Sequence, residues 1–436
     1  MDVRLLLARR VRVLVRRSLA GLGFALASLA TTTFAQQPVA VGPNVNMVGG
    51  PASYVPGRDP ALVGDPFLQR QNEPSLALSS RNPCHILAGA NDYRAVDLEE
   101  AVNLENADAW LGVFKSLDCG YTWTSYLLPG HPVDSSPAGV ASPLRGLQAA
   151  ADATVRAGTS GLFYYSGVAF NRGDNGVGKV FVSRFVDNNN TDGADPIKYL
   201  DTTAIDTGTS GQFLDKPWVA TDIPRGSASC TVDGQTVPAG NAYLTYSAFV
   251  GSGNNVRTKI LFSRSSDCGA TWSNPSKLSE RFARNQGTVM AVDPGTGAIY
   301  IAWREFTDPN DASSVHAILV VTSTDGGKSF SPAQRVTPAN PVTGQPYAFQ
   351  PFDQIATPVT FRTNAYPTMA SCRPRRKDAR PGSPDACTWP GRRAASAVRG
   401  RPTRASSCRA RPTAPPGATR RRPTPSRTRG TRSCRP

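Results

Sequence analysis

The chain spells one eight-residue phrase three times: Ser116-Leu117-Asp118-Cys119-Gly120-Tyr121-Thr122-Trp123, Ser265-Ser266-Asp267-Cys268-Gly269-Ala270-Thr271-Trp272 and Ser323-Thr324-Asp325-Gly326-Gly327-Lys328-Ser329-Phe330. Each copy reads Ser-x-Asp-x-Gly-x-(Thr/Ser)-(Trp/Phe). Asp, Ser and Thr oxygens accept from nearby backbone N–H groups, Gly admits a positive φ, and the closing aromatic turns inward to pack. The phrase is a hairpin turn. Its repetition marks modules that bury their apolar faces only by stacking on one another.

The segments between these turns read as strands. An opening run recurs at Glu73-Pro74-Ser75-Leu76-Ala77-Leu78-Ser79, Lys216-Pro217-Trp218-Val219-Ala220-Thr221-Asp222, Thr288-Val289-Met290-Ala291-Val292-Asp293 and Tyr366-Pro367-Thr368-Met369-Ala370. Pro is tolerated there because the first residue of a strand loses no ladder bond. Small and aromatic runs follow at 86–90, 162–166, 242–246 and 299–303, suited to strands buried on both faces. Third strands are expected at 110–114, 180–183, 259–262 and 318–321, and three of the four lead into the octet. In the second repeat Asp187-Asn188-Asn189-Asn190-Thr191-Asp192-Gly193 stands in its place. That stretch is an Asx turn, with Ca²⁺ ligation by its carboxylate and amide oxygens as the alternative. Third strands recur roughly every 60 to 80 residues, which fits one four-stranded antiparallel sheet per repeat. No helical periodicity competes.

The octet resembles the Asp box of sialidases and other bacterial-neuraminidase-repeat proteins. The resemblance covers residues 72–370 and implies an all-β β-propeller of four-stranded antiparallel blades, with about four blades and the start of a fifth. The sialidase family itself has six. The resemblance implies a glycan-directed protein that binds carbohydrate or a glycoconjugate, a glycoside hydrolase if active. A non-catalytic binding or scaffold propeller is the alternative class. In the family the box lies away from the ligand, which sits where the loops between second and third strands open.

Arg94, Arg172 and Arg304 each follow a second-strand run. Three guanidiniums at one mouth would hold a carboxylate through forked donors, as the family's arginine triad does; the alternative is a solvated arginine at each strand end. Asp97, Glu99 and Glu305 are the candidate acid/base carboxylates, with ordinary loop charge or, for Glu305, pairing with the adjacent Arg304 as the alternative. The family's (Phe/Tyr)-Arg-Ile-Pro motif is absent, and Tyr93-Arg94-Ala95-Val96 shares only its first two residues. The family's nucleophilic Tyr, its Glu and a later Arg belong to late blades with no counterpart here. Cys84 and Cys230 precede a box, while Cys119 and Cys268 occupy its fourth position. The expected disulfides are Cys84–Cys119 and Cys230–Cys268, each within one blade. Zinc ligation would need Cys-x-x-Cys or His spacings that are not present. No metal or cofactor is expected beyond the Ca²⁺ alternative.

The net charge of +16 is unevenly placed. Residues 373–436 carry 19 Lys and Arg against two Asp, residues 1–35 carry six Arg against Asp2, and the body between has 23 basic and 29 acidic residues. The body therefore lacks the basic stripe of a nucleic-acid binder. Residues 1–35 read as a targeting segment: arginines, an apolar run from Leu19 to Ala30, then Thr33-Phe34-Ala35. The run is too short to span a bilayer, so a secreted or periplasmic protein is expected. Residues 36–71 read as an extended leader. From Ser371 onward Arg, Pro, Ala, Ser and Thr dominate and strand patterning stops within an opening run, a composition expected to stay disordered. The break has the form of a reading-frame shift in a GC-rich gene; the alternative is a tail that binds nucleic acid or an acidic surface.

Overall fold

The computed structural model describes residues 44–48, 71–94, 108–132, 134–173, 177–189, 195–208, 211–251, 255–280, 283–306, 316–336, 354–355, 361–362 and 366–371. The targeting segment, most of the leader, the basic tail, Asp97 and Glu99 lie outside them. Everything described below belongs to one unit that begins at Asn46.

Four antiparallel sheets follow one another along the chain. The first holds β1 (Gln71–Leu78), β2 (Ile86–Asp92), β3 (Trp110–Ser116) and β4 (Thr124–Leu127) in that order. After a short helix α1 (Pro137–Ala141), capped by the Ser136 side chain, come β5 (Ala149–Ala157), β6 (Leu162–Phe170), β7 (Gly178–Asp187) and β8 (Ile197–Gly208). The third sheet starts with β9 (Gln212–Thr221), is interrupted by a hairpin of β10 (Ser229–Val232) and β11 (Gln235–Pro238), and resumes with β12 (Ala242–Val250), β13 (Arg257–Ser265) and β14 (Ser276–Lys277). The fourth holds β15 (Arg284–Val292), β16 (Ile299–Phe306), β17 (Ala317–Ser323) and β18 (Gln334–Val336). The first strands lie against one another in sequence, β1 on β5, β5 on β9 and β9 on β15. First strands are therefore innermost and fourth strands outermost, the arrangement of propeller blades around an axis.

Apolar side chains fill the space between blades. Leu87, Trp110 and Leu111 of the first blade pack with Phe163, Tyr165 and Phe181 of the second, all buried. Every residue of β2 and β3 is buried, as their near-continuous apolar runs require. Strand β5 has no counterpart among the sequence-based openings. Its Ala149-Ala150-Ala151-Asp152-Ala153 has neither Pro nor large β-branched residues, and its ladder with β6 and its packing between β1 and β9 hold it extended. Helix α1 and the β10–β11 hairpin are likewise legible only in the structure.

The octets fold as their chemistry demands. In the first, Ser116 Oγ accepts from Gly120 N at 2.8 Å and donates to Asp118 Oδ1, while Asp118 receives the Thr122 N–H and hydroxyl at 2.8 and 2.6 Å. Ser265, Asp267 and Thr271 repeat the pattern, as do Ser323, Asp325 and Ser329. Trp123 and Trp272 donate their indole N–H to Gly120 O and Gly269 O, whereas Phe330 packs edge-on against Phe262. The fourth and fifth positions are left-handed in every copy, including Cys119 (φ 62°) and Cys268 (φ 63°). A Cβ at Gly269 would stand 2.6 Å from the Tyr164 ring and one at Gly327 2.6 Å from Phe262. Each of these boxes is thus wedged against the preceding blade.

Hydrogen bonds from Thr122 and Ser329 hold Asp118 and Asp325 below the ordinary aspartate pKa. At Asp267 partial burial opposes the shift, but bonds from Thr271 and Ser265 prevail and the pKa is again lowered. Stability from these groups is present above the unfolded-state value of about 3.9 and is lost as pH falls through their folded values. Asp267→Ala, which removes the acceptor of several bonds, should destabilise by about 1–3 kcal/mol and flatten the acid limb of a stability–pH curve measured in urea.

Both expected disulfides are present, Cys84–Cys119 and Cys230–Cys268, closing segments of 35 and 38 residues. The β10–β11 hairpin carries Cys230 to its partner. On the chain-entropy model, replacing Cys84 and Cys119 by Ser should remove about 4 kcal/mol. A reductant, which opens both disulfides, should produce a larger fall in the urea midpoint of the unmodified protein.

Polar latches also tie the blades. Arg184 on β7 pairs with Asp201 and donates to Cys268 O across the second seam. Arg225 pairs with Asp222 and reaches Asp293 O across the third. At the first seam Ser79 donates to Asp187 Oδ2, His85 Nδ1 lies 3.0 Å from Asp187 Oδ1, and Asn189 N donates to the same carboxylate. The turn that stands in place of an octet thus serves as the socket for the first blade's β1–β2 loop. With both Asp187 oxygens engaged, the Asx-turn reading describes its start. Asp192, needed for the Ca²⁺ alternative, lies outside the described residues.

Candidate functional site

The inner strands share a defect. Register breaks occur in β1 between Asn72 and Ser75, in β5 between Ala151 and Thr154, in β9 opposite Thr245 and Ser247, and in β15 between Gln286 and Val289. At each sits a left-handed residue: Glu73 (φ 53°), Asp152 (φ 64°), Lys216 (φ 50°) and Gly287 (φ 71°). A bulge re-aims a side chain, and a non-glycine residue in this region costs about 1–2 kcal/mol. Such strain persists only where the surroundings hold it, and it clusters at functional sites.

The three charged members meet. Lys216 Nζ lies 3.1 Å from Glu73 Oε1 and 2.9 Å from Asp152 Oδ1, and the Lys216 N–H donates to Asp152 Oδ2 at 3.2 Å. Asn91, buried at the end of β2, donates to Glu73 Oε2 and accepts from Asp152 N. Lys216 belongs to the third blade and Glu73 to the first, with β5 between their strands. They touch because both side chains lie on the axial side. Burial pulls the Lys216 pKa down, but the Asp152 and Glu73 carboxylates outweigh it and hold the ammonium above the ordinary lysine value. The Glu73 side chain is 49% exposed, Lys216 32% and Asp152 10%, so the cluster is fixed below and open above.

The fourth bulge is filled from outside its blade. A Cβ on Gly287 would stand 2.0 Å from the Tyr366 ring, and Tyr366 OH donates to Gln286 Oε1 at 2.9 Å. Gln286 in turn donates to Asp215, beside Lys216. Tyr366 precedes Pro367 as Glu73 precedes Pro74 and Lys216 precedes Pro217. The X-Pro openings were a visible signal, since the residue before Pro is excluded from the helical region. Their meaning depended on which blade faced which.

The bulges lie at the strand ends where β2, β6, β12 and β16 run out, opposite the Asp boxes. The sequence-nominated arginines belong to this end, each engaged separately. Arg94 is buried, its Nε on both Asp92 oxygens and its Nη1 on Ser125 of the outer strand β4, so it points away from the axis. Arg304 is buried over the Phe306 ring at 3.9 Å with His316 Nδ1 at 3.1 Å. Arg172 is 65% exposed and donates to Asp108, which raises its pKa. Glu305 is buried and meets Arg335 at 3.5 Å. It lines a shallow cleft of about 180 Å³ with Ser279, Glu280 and Asn285 on the outer part of the third seam. Among the described residues no cluster of His, Cys, Asp or Glu could hold a metal ion, and no helix is long and apolar enough to cross a membrane.

No family model and no curated protein matches the chain. Among solved structures it is similar to an α-L-arabinofuranosidase from Fusarium graminearum in complex with an iminosugar inhibitor, at 16% identity over 64% of this chain and 68% of that one, TM-score 0.38. It is similar to a Penicillium chrysogenum α-L-arabinanase complexed with arabinobiose, at 13% identity, 62% and 68% coverage, TM-score 0.36. A Trypanosoma rangeli sialidase matches at 18% identity over 66% of this chain and 42% of that one, TM-score 0.36. These values compare folds and say nothing of activity. On its own sheets, seams and turns, the described part of the chain is an all-β β-propeller of four-stranded antiparallel blades.

Proposed function

We propose that this is an exported, glycan-directed propeller whose ligand seats over the axis on Lys216, Glu73 and Asp152. One observation carries the reading: three inner strands each adopt a strained bulge to bring opposite charges together at the open end of the axis. Carboxylates that accept from hydroxyls beside an ammonium and an amide that donate suit the vicinal oxygens of a sugar. Export is supported by the two disulfides, which persist in oxidising compartments, and by the targeting pattern of residues 1–35.

Glu73 and Asp152 share one ammonium, so the two oxygens that meet it stand no more than about 6 Å apart, closer than the roughly 6.5–9.5 Å of an inverting pair and compatible with the shorter spacing of a retaining one. They are the carboxylates to test for hydrolysis. Binding without turnover is the second reading, favoured by the ammonium that neutralises them. The full-length protein should be titrated calorimetrically with sialyllactose and with arabinotriose and assayed on the matching methylumbelliferyl glycosides. Binding that is lost in Lys216→Met supports the proposal. Turnover lost in Asp152→Asn with binding kept makes the protein an enzyme. A folded protein that binds neither sugar overturns the axial reading.

A further inference from the structure

The seam between the second and third blades ends in an aromatic row at the same mouth. Phe170 closes β6, Phe213 opens β9 and Phe249 lies at the end of β12 directly opposite Phe213. Phe170 and Phe213 meet edge-on at 5.6 Å between ring centres, and Phe213 and Phe249 lie 6.3 Å apart. The interior of this seam is closed by buried Val168, Leu214 and Ala248, yet Phe213 is 43% exposed, with Val177 and Val250 exposed beside it. The Arg172 guanidinium stands 4.9 Å over the Phe170 ring and is itself largely solvent-exposed.

The row is continuous with the axial cluster. Phe213 lies three residues before Lys216 on β9, and Phe170 pairs with Ala149, three residues before Asp152 on β5. Three residues of strand span about 10 Å, so the two features share one seam and one face, a short step apart. The exposed Phe213 ring, backed by half-buried Phe170 and Phe249, offers a surface to the apolar C–H side of a sugar, and the guanidinium offers donors to its oxygens. A purely apolar partner would gain nothing from the largely exposed Arg172 guanidinium, which Asp108 meets through Nε.

We propose that this seam is a second sugar subsite, so that the ligand is a chain of at least two sugar units, one over Lys216 and another stacked on Phe213 beside Arg172. The inference rests on the axial reading and adds a preference for chain length. The test compares arabinotriose with arabinose, and sialyllactose with free sialic acid, by calorimetry on the full-length protein. In the productive series the oligosaccharide should bind about tenfold more tightly than its terminal monosaccharide. Phe213→Leu, which keeps the apolar volume and loses the flat ring, should erase that preference and leave monosaccharide affinity intact. Tyr121→Ser, an exposed aromatic on the opposite face, should change neither. Circular dichroism and the urea midpoint establish that each variant is folded. A monosaccharide bound through Lys216 with no gain from chain length, or a gain that Phe213→Leu leaves unchanged, overturns the second subsite alone. A wild-type protein that binds no probe refutes the axial reading and this inference together.

Discussion

Replacing Asp187 by Ala is expected to lower the stability of the protein by about 3–5 kcal/mol, read as a fall in the urea midpoint. The carboxylate is fully buried and is the common acceptor for Ser79, for the Asn189 N–H and for His85, while the Asp187 carbonyl receives Arg81 at 3.1 Å. Deleting it leaves buried Ser79 and His85 of the first seam without that acceptor, and unmade bonds there cost more than the made ones contribute. Asp187→Asn keeps the shape and part of the bonding, and should cost about half as much. The effect should be seen first at the seam: amides of the β1–β2 loop and of β7 should exchange with solvent faster than those of β15 and β16. Equal exchange throughout would mean that the latch does not hold the first two blades together.

The second large effect is expected at Lys216. Lys216→Met retains the stem and removes the ammonium that bridges Glu73 and Asp152. Truncating one member of a hydrogen-bonded charge group costs about 2–5 kcal/mol in binding, so affinity for a sugar ligand should fall about a hundredfold or more. Because Lys216 has its pKa raised in the fold, its contribution to stability is complete below the unfolded value of about 10.4 and is lost as pH climbs through the folded one. Wild type and Lys216→Met should therefore differ in stability at neutral pH and converge at strongly alkaline pH. A constant difference across that range would show that the methionine acts by packing rather than by charge.

The local chemistry of this chain was legible before any coordinates. The octets carry their own acceptors, donors and glycines within eight residues, so Ser116, Asp118 and Thr122 find one another whatever surrounds them. Second and third strands were equally plain, because burial on both faces demands apolar runs such as Ile299 to Trp303. The cysteine pairs followed once the alternation of faces along a blade was assumed. Strand β5 was not legible, since Ala149 to Ala157 has little intrinsic preference for extension and is held there by its neighbours.

The candidate site divides along the same line. Arg94, Arg172 and Arg304 looked equivalent by position in sequence, but their partners differ: Asp92 lies two residues before Arg94 and draws it outward, Phe306 and His316 enclose Arg304, and only Arg172 stays in solvent. Glu73, Asp152 and Lys216 are separated by 79 and 64 residues, and the X-Pro opening that Glu73 and Lys216 share is missing at Asp152. What the amino-acid sequence determined by itself was the octet turns, the faces of the second and third strands and the spacing of blades. What the tertiary structure alone decided was which side chains stand together at the axis and along the second seam. Those contacts arise where different blades meet, and the angle at which one sheet packs on the next is set by the summed packing of whole faces, which no short stretch of the chain encodes.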